Sequence, residues 1–445
     1  MNHPLVHRLL YRPLPIAPLV TFRILFGGLM MIGALRFMQK GWVERLYGEP
    51  VFFFKYYGFE WVETLDVPGM YAVYSLIALS AAGIMLGFAY RWSVLLFFLS
   101  FSYAELTDAT NYLNHYYLVI LLAFLLFFIP ANRRFSIDTR LRPSLALTHV
   151  PAWTIHLLQF QVGIVYFFAG FAKLNPDWLF KAMPLAVWLP EKAGIPVIGP
   201  LLALPAAAFA FSWFGAIYDL TIPFWLFIKK TRPWAYGAVV VFHVLTKMLF
   251  NIGLFPFIMI FNTLIFFPAS THHRWLKYLG YHPGEPCIKE PTTDNRQPTT
   301  TPILLALHIV IQVLIPLRFL CYPGNVLWTE EGYRFAWRVM LVEKNGYATF
   351  FVSDAATGRR TEVINSRFLT PFQEKQMAIQ PDFILQYAHF LARHYREREG
   401  FQQPVVTVDS YVALNGRPSE RFIDPGINLA DVLDGLGTKK WVLRY

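Results

Sequence analysis

The chain has 445 residues, of which 56% are hydrophobic, 18% aromatic and only 15% charged, and its formal net charge is +11. A soluble domain carries about 25% charged residues. This composition therefore excludes an ordinary soluble protein and predicts an integral membrane protein. Most of the positive excess lies before residue 321, in loops between apolar segments. That placement is typical of membrane topology and not of a protein with a nucleic-acid partner.

About nine apolar segments are predicted as spans, and several of them are near the ~20 residues that cross the hydrocarbon core of a bilayer, whereas 92–107 and 235–250 are shorter. Their pattern predicts a mostly α fold, a polytopic bundle of membrane helices followed by a small α+β extramembrane domain. The predicted spans are 17–37, 70–89, 92–107, 113–130, 153–172, 203–228, 235–250, 252–269 and 302–320.

Charged residues alternate between the two sides of this predicted bundle. Basic residues such as Arg91, Arg133 and Lys229 fall in one set of loops, and acidic residues such as Glu60 and Glu105 fall in the other. The positive-inside rule then places the N-terminus in the cytoplasm and the C-terminal domain outside. The chain has no Asn-x-Ser/Thr sequon, which favours a bacterial source and hence the bacterial inner membrane.

The composition divides the chain into two domains. Residues 1–320 form the predicted transmembrane helical domain, which includes a Pro- and Thr-rich segment at about 270–301 that is typical of a flexible cytoplasmic linker. Residues 321–445 form the predicted α+β domain on the outer side.

Three local patterns describe this outer domain. Alternation on both sides of residues 344–346 (Lys-Asn-Gly) predicts a β-hairpin. Apolar residues at helical spacing predict an amphipathic helix over 383–398, and alternation predicts a strand over 405–414.

Lys173 is the first residue of functional interest, because an apolar run delivers it to the outer end of span five, directly before Asn-Pro-Asp-Trp. Burial in a low dielectric favours the neutral amine, which could act as a base towards a lipid-soluble acid. The alternative is a lysine that anchors the helix end by extending to the interface. Asn114 and His115, at the outer start of span four, face the same side under the predicted topology.

Further ionisable residues lie inside predicted spans, where each costs about 2.5–3.5 kcal/mol or more. Asp219 lies in span six, and His243 and Lys247 share one face of span seven at i,i+4. Asp219 is predicted to pair with one of these two residues as a structural contact. The alternative is that the group lines a reaction pocket.

Residues 164–178, with Ala-Gly-x-x-Lys-Leu-x-x-Asp-Trp at their end, resemble the transmembrane core of vitamin K-dependent γ-carboxylases. Asn114-His115 resembles that family's Asn-His motif, and Asp219-Leu220 and Phe242-His243 resemble two further core segments. Residues 328–340 are similar to its glutamate-substrate segment. The chain is thus identified as a short, bacterial-type member of this family, with a transmembrane core like that of HTTM proteins.

This resemblance implies that a vitamin K hydroquinone is deprotonated and epoxidised by O2. A strongly basic intermediate of that oxidation would take a γ-proton from glutamate, and the carbanion that remains would add CO2. By motif match, Lys173 would be the base, and His115 with Asn114 would hydrogen-bond the quinol oxygen. The implied quinol-binding residues are Asn114, His115, Lys173 and His243. The implied substrate-binding residues are Trp328, Tyr333, Trp337 and Met340, to which Arg338 and Arg421 are added, on charge alone, as clamps for the glutamate carboxylate.

The implied cofactor is vitamin K hydroquinone (phylloquinol or menaquinol), with O2 and CO2 as co-substrates and no metal. The implied partners are a glutamate-containing protein or peptide, the lipid membrane and a quinone reductase. Ala172 and Val342 stand where eukaryotic members carry a lysine and a histidine. The alternatives are a quinol epoxidase that does not carboxylate peptide, and a non-catalytic membrane protein that binds lipid or quinone.

Overall fold

A computed structural model describes residues 10–282 and 300–445. A short antiparallel pair, β1 (Pro13–Pro15) with β2 (His149–Pro151), ties the start of the chain to the start of the fifth long helix. The longer helices of the first domain are α1 (Ala17–Gln39), α2 (Val67–Leu86), α3 (Tyr90–Leu106), α4 (Asn114–Phe128), α5 (Ala152–Ala172), α6 (Pro205–Phe227), α7 (Arg232–Leu249), α8 (Phe255–Thr263), α9 (Ala269–Lys277) and α10 (Thr300–Leu317).

Five helical stretches in the described parts of the chain are long and apolar enough to cross a membrane: α1, α2, α5, α6 and Pro302–Cys321. A sixth is counted if α8 and α9, which meet at a bend of 120°, act as one broken span. The prediction of about nine spans is not confirmed. A helix of 15 residues such as α4 is about 22 Å long, which is shorter than the ~30 Å hydrocarbon core.

The first part of the segment predicted as a flexible linker, 270–301, is helical in the structure. Residues 269–277 form α9, with His272 and Leu276 buried, so this part is a packed helix and not a flexible linker. Residues 283–299 lie outside the described residues.

Small residues allow the membrane helices to pack closely. A Cβ atom at Gly27 of α1 would lie 2.5 Å from the backbone nitrogen of Met85 in α2. A Cβ atom at Gly170 of α5 would lie 2.5 Å from the backbone nitrogen of Leu220 in α6. Glycine at such positions lets two helix backbones approach. The second contact brings the end of α5 directly against Asp219.

The C-terminal region forms a four-stranded antiparallel sheet covered by a helix. The strand order is β4-β3-β5-β6, and the predicted helix and strand near 383–398 and 405–414 are confirmed as α12 and β5. The elements are β3 (Lys344–Asp354), β4 (Arg360–Glu362), α11 (Pro371–Met377), α12 (Pro381–Arg398), β5 (Pro404–Leu414) and β6 (Glu420–Arg421).

The predicted hairpin at residues 344–346 is wrong. These residues begin β3, which pairs with β5 without interruption from Lys344 to Asp354. A Cβ atom at Gly346 would lie 2.5 Å from the carbonyl oxygen of Tyr411. The glycine is therefore required for close approach of the two strands and not for a turn.

The two domains are joined by direct contacts. The loop between α1 and α2 packs against α12, with the ring of Phe54 4.8 Å from that of Phe383. The side chain of Gln386 exchanges two hydrogen bonds of 2.9 Å with the backbone of Lys55. The C-terminal region, here called the outer domain after its predicted side of the membrane, therefore packs against the loop between α1 and α2.

Candidate active site

A narrow cavity of about 90 Å³ lies where α5, α6, α7 and α8 meet residues 339 and 340 of the outer domain. Most of its wall is aromatic or aliphatic, and its ionisable groups are Lys173, Asp219, His243 and the Tyr166 phenol. No group of three or more His, Cys, Asp or Glu side chains that could hold a metal ion occurs among the described residues.

Lys173 and Asp219 form a buried ion pair. The Lys173 Nζ donates to Asp219 Oδ2 at 2.7 Å and to the carbonyl oxygen of Ala169 at 3.2 Å. Each of the two residues is only 5% exposed. The Lys173 side chain therefore does not extend to an interface as an anchoring lysine would.

The prediction that Asp219 pairs with His243 or Lys247 is wrong. Asp219 faces α5, because Gly170 allows α6 to approach that helix closely. Lys247 instead donates to the carbonyl oxygen of Gly253 at 3.2 Å. The Lys173–Asp219 contact joins residues 46 positions apart, and no local sequence pattern indicates it.

The Asn-Pro-Asp-Trp sequence after Lys173 starts a short helix, Pro176–Lys181. The side chain of Asn175 accepts from the backbone nitrogen of Trp178 at 3.0 Å, and Pro176 occupies the first helical position. This turn places the Trp178 ring 5.1 Å from the Lys173 Nζ. The Trp178 indole donates to the carbonyl oxygen of Ser212 at 2.7 Å, which fixes the ring as a lid over the lysine.

His243 presents an unpartnered nitrogen in the cavity region. Its Nε2 contacts the Tyr166 hydroxyl at 2.9 Å, whereas its Nδ1 is buried and has no hydrogen-bond partner among the described residues. Buried polar atoms are nearly always hydrogen-bonded, so Nδ1 is available to a bound molecule.

His115 lies behind the cavity wall. Its ring is 5.8 Å from that of Phe255, whose other neighbour is His243 at 5.6 Å. Phe255 lines the cavity, whereas His115 is buried and does not. The adjacent Asn114 accepts from the Tyr112 hydroxyl at 3.0 Å and donates to the carbonyl oxygen of Arg338 at 3.2 Å.

Residues 330–343, here called the outer segment, have an unusual backbone. Phe335, Trp337 and Met340 all have positive φ angles, of 61°, 56° and 56°. Such conformations cost about 1–3 kcal/mol each in a non-glycine residue and cluster at functional sites. Stacking of Trp337 on Tyr117, with ring centroids 5.0 Å apart, helps to hold the segment. Met340 reaches the cavity, and no sequence pattern indicates these backbone angles.

Arg338 is a buried cation without an anionic partner in the described structure. It is 5% exposed, its guanidinium lies 4.3 Å from the centre of the Phe319 ring, and its Nε has no hydrogen-bond partner. Burial lowers the pKa of Arg338 to about 10, so the side chain is still charged at neutral pH. Its neighbours in sequence, Val339 and Met340, line the cavity.

The remaining predicted substrate residues lie away from the cavity wall. The Trp328 indole donates to the carbonyl oxygen of Leu443 at 2.7 Å, inside the core of the outer domain. Tyr333 lies half-buried in the outer segment, and burial raises the pKa of its hydroxyl. Arg421, on the edge strand β6, is 3.5 Å from Asp409 and donates to the Tyr411 hydroxyl at 2.7 Å.

Asp177 is a further residue that the sequence analysis missed. Arg417 binds both of its carboxylate oxygens, one of them at 2.7 Å, and Asn415 donates to it at 3.1 Å. Burial acts to raise the pKa of Asp177, but the hydrogen bonds and charge of Arg417 outweigh it and hold that pKa below its usual range. Because Asp177 follows Lys173 by four residues, this contact fastens the outer domain to the end of α5.

Two family models match the chain. The HTTM domain matches residues 11–271, and the vitamin K-dependent gamma-carboxylase lumenal domain matches residues 297–445. No solved structure matches it. The second match includes α10 as well as the C-terminal sheet. Together the two matches point to a membrane-associated enzyme that uses vitamin K and acts on glutamate-containing protein. The chain belongs to the vitamin K-dependent gamma-carboxylase family.

Proposed function

We propose that this protein is a vitamin K hydroquinone-dependent γ-glutamyl carboxylase whose reaction starts at Lys173. The observation that carries the proposal is the buried Lys173–Asp219 pair on the wall of an apolar cavity, a wall to which Met340 of the outer segment also contributes. The same cavity is therefore lined by a proton acceptor, the Lys173–Asp219 pair, and by Met340 of the segment that resembles the family's substrate-binding region.

The lining of the cavity fits a quinol ring. Sites for small molecules are mostly apolar and carry a few polar groups that fix orientation. Here those groups are the Lys173–Asp219 pair and the unpartnered Nδ1 of His243. The implied contact of His115 with the quinol is retained as part of the proposal, with the Phe255 ring as the group that would have to move aside.

The ion pair can take up one proton from an acidic hydroxyl. If the pair starts as ammonium and carboxylate, Asp219 gains the proton. If it starts as amine and carboxylic acid, Lys173 gains it. Both routes end with an ammonium on Lys173 and a neutral Asp219, so a positive charge faces the negative charge left on the hydroxyl oxygen. Proton transfer to a positioned group of this kind contributes about 10²- to 10⁴-fold to a rate.

When bound, vitamin K hydroquinone supplies the oxidation by O2 that provides a base strong enough to remove the glutamate γ-proton. The chain's own contribution is to exclude water, which would quench such a base. Trp178 is 3% exposed and covers the Lys173 amine at 5.1 Å. The rest of the wall is largely hydrocarbon.

Arg338 is the proposed clamp for the substrate carboxylate. A guanidinium binds a carboxylate through two parallel hydrogen bonds, and this one is buried without a competing anion among the described residues. Asn114 supports the clamp by fixing the carbonyl group of Arg338. Trp337 and Tyr333 shape the surroundings of the clamp.

The proposed setting is a multi-pass protein of the bacterial inner membrane, with the N-terminus in the cytoplasm and the outer domain outside. Charge placement in the loops supports this orientation. The glutamate-containing protein or peptide then reaches Arg338 from the outer side, and a quinone reductase regenerates the hydroquinone. CO2 is the second co-substrate.

The test uses purified protein in detergent with vitamin K hydroquinone, O2, labelled bicarbonate and a short glutamate-rich peptide. Epoxide and peptide-bound label are quantified together. We expect both products, in amounts that depend on Lys173. Epoxide without label would favour an epoxidase that does not carboxylate peptide. If neither product formed with phylloquinol or menaquinol, the proposal would be wrong and a non-catalytic quinone-binding role would be favoured.

A further inference from the structure

A second, larger cavity lies far from Lys173. It is a groove of about 850 Å³ between the turn that joins α6 to α7 and the bend that joins α8 to α9. Gln159 of α5 contacts the carbonyl oxygen of Ile265 beside this bend. Gln159 precedes Lys173 by 14 residues, which is about 21 Å along the axis of α5. The groove therefore lies towards the opposite end of the helical domain from the proposed active site.

The wall of this basic groove combines cations with aromatic and proline side chains, and its three cations are Lys229, Arg232 and Arg274. Arg232 is occupied, because it donates to the carbonyl oxygens of Leu226 and Phe227 at 2.8 Å and 3.0 Å. Lys229 and Arg274 form no ion pair or side-chain hydrogen bond within the described residues. The groove therefore has two cations available to an anion.

Nothing acidic in the surrounding sequence neutralises these cations. No Asp or Glu occurs between Asp219 and Glu285, whereas that interval contains six Lys and Arg residues. An anion in the groove would therefore meet no carboxylate from the elements that form it.

Exposed aromatic side chains border the groove. Trp275 is 66% exposed and Tyr278 is 86% exposed. Tryptophan and tyrosine prefer the headgroup level of a bilayer, where one end of the ring is apolar and the other is wet. Helix α9 buries His272 and Leu276 and turns 120° from α8, as expected of a helix that lies along the interface.

We propose that the basic groove binds the phosphate group of an anionic phospholipid. The phosphodiester would lie between Lys229 and Arg274, with the glycerol and upper acyl chains against Trp275 and Tyr278. The phosphate group of a lipid and a free phosphate anion would make the same contacts with these two cations. The exposed aromatic rim favours a lipid over free phosphate, because only a lipid would cover it.

The experiment measures lipid binding to the purified, full-length protein by native mass spectrometry and by competition. The probes are phosphatidylglycerol, phosphatidylcholine and glycerol phosphate, each at the same concentrations and low salt. The test variant is Lys229→Gln/Arg274→Gln. The matched control is Arg140→Gln/Arg142→Gln, which removes the same charge from two exposed residues that lie outside the groove. Thermal unfolding confirms that both variants are folded.

We expect phosphatidylglycerol to bind wild type more tightly than phosphatidylcholine, and the test variant to lose about 30-fold in affinity, since each basic residue near a bilayer surface contributes about 1 kcal/mol. The control should change by less than about threefold. Equal binding of the two lipids, or retained affinity in the test variant, would overturn the proposal. An equal loss in the control would indicate general surface charge, and full competition by glycerol phosphate would indicate a free-anion site. None of these readouts depends on carboxylase activity.

Discussion

Lys173 and Arg338 are both buried cations at 5% exposure, but they differ in what surrounds them. Lys173 has a carboxylate at 2.7 Å, whereas Arg338 has an aromatic ring at 4.3 Å and no anion. The lysine is thus compensated within the fold, and the pair can exchange a proton. The arginine is uncompensated, and burial of an unpaired charge is destabilising unless an anion binds to it. The comparison assigns proton chemistry to the first and anion binding to the second.

The largest expected effect on activity comes from replacement of Lys173, the cation that is compensated by Asp219. Lys173→Met should reduce epoxide formation by about 10²- to 10⁴-fold, because both proton-transfer routes need the Lys173 amine and end with its ammonium facing the new anion. It should also lower the free energy of unfolding by about 3–5 kcal/mol, since Asp219 is left buried without a partner. Adding Asp219→Asn should restore most of the stability but none of the activity. Measurement of epoxide and of thermal unfolding for wild type, Lys173→Met and Lys173→Met/Asp219→Asn separates chemistry from folding.

Replacement of Arg338, the uncompensated cation, should change the free energy of unfolding in the opposite direction to replacement of Lys173. Arg338→Met should raise the free energy of unfolding by about 1–2 kcal/mol, because a buried, unpaired charge is replaced by an apolar side chain of similar length. The same variant should raise the KM for the glutamate peptide by about 30-fold, a loss of ~2 kcal/mol in charge-assisted binding. Arg421→Gln, at the edge of the sheet, should change KM much less. A destabilised Arg338→Met variant with normal KM would contradict the assignment.

The contact between Asp177 and Arg417 should make the attachment of the outer domain sensitive to acid. Arg417 keeps the pKa of Asp177 low in the folded protein, so the folded state binds fewer protons than the unfolded state. The stabilisation is complete above the ordinary aspartate value of about 3.9 and is lost as pH falls through the lower folded value. Thermal unfolding followed from about pH 5 down to about pH 2 should show this loss in wild type and in the control Arg444→Gln, which changes an exposed arginine, but not in Arg417→Gln.

The smallest expected effect is at Asn114. Asn114→Ala removes the hydrogen bond to the Arg338 carbonyl and should cost about 1 kcal/mol, which corresponds to about fivefold in the KM for peptide. Epoxide formation without peptide should change less than peptide carboxylation. A larger loss of epoxide than of carboxylation would place Asn114 at the quinol and not at the outer segment.

Local patterns in the sequence predicted some elements well. The periodicity of residues 383–398 and the alternation of 405–414 gave α12 and β5, because each pattern belongs to one continuous element. The Lys-Asn-Gly sequence gave a wrong prediction of a turn, because Gly346 lies within β3 and allows the close approach of β5. The span count exceeded what the structure supports, because apolar composition does not reveal that a helix such as α4 stops after 15 residues.

The candidate site was predictable only in part. Lys173 was recognisable from its position at the end of an apolar run and from the surrounding motif. Its partner Asp219 was not, because the contact depends on the close approach of α5 and α6 at Gly170. The positive φ angles of Phe335, Trp337 and Met340 also have no signature in sequence, because non-glycine residues rarely adopt them and no local pattern encodes them.

The most direct test of the central claim compares wild type with the stability-matched variant Lys173→Met/Asp219→Asn. Epoxide and peptide-bound label are measured together, at a temperature where both proteins are folded. We predict that wild type forms both products and that the variant forms neither. A folded variant that still forms epoxide at the wild-type rate would show that the Lys173–Asp219 pair does not start the reaction.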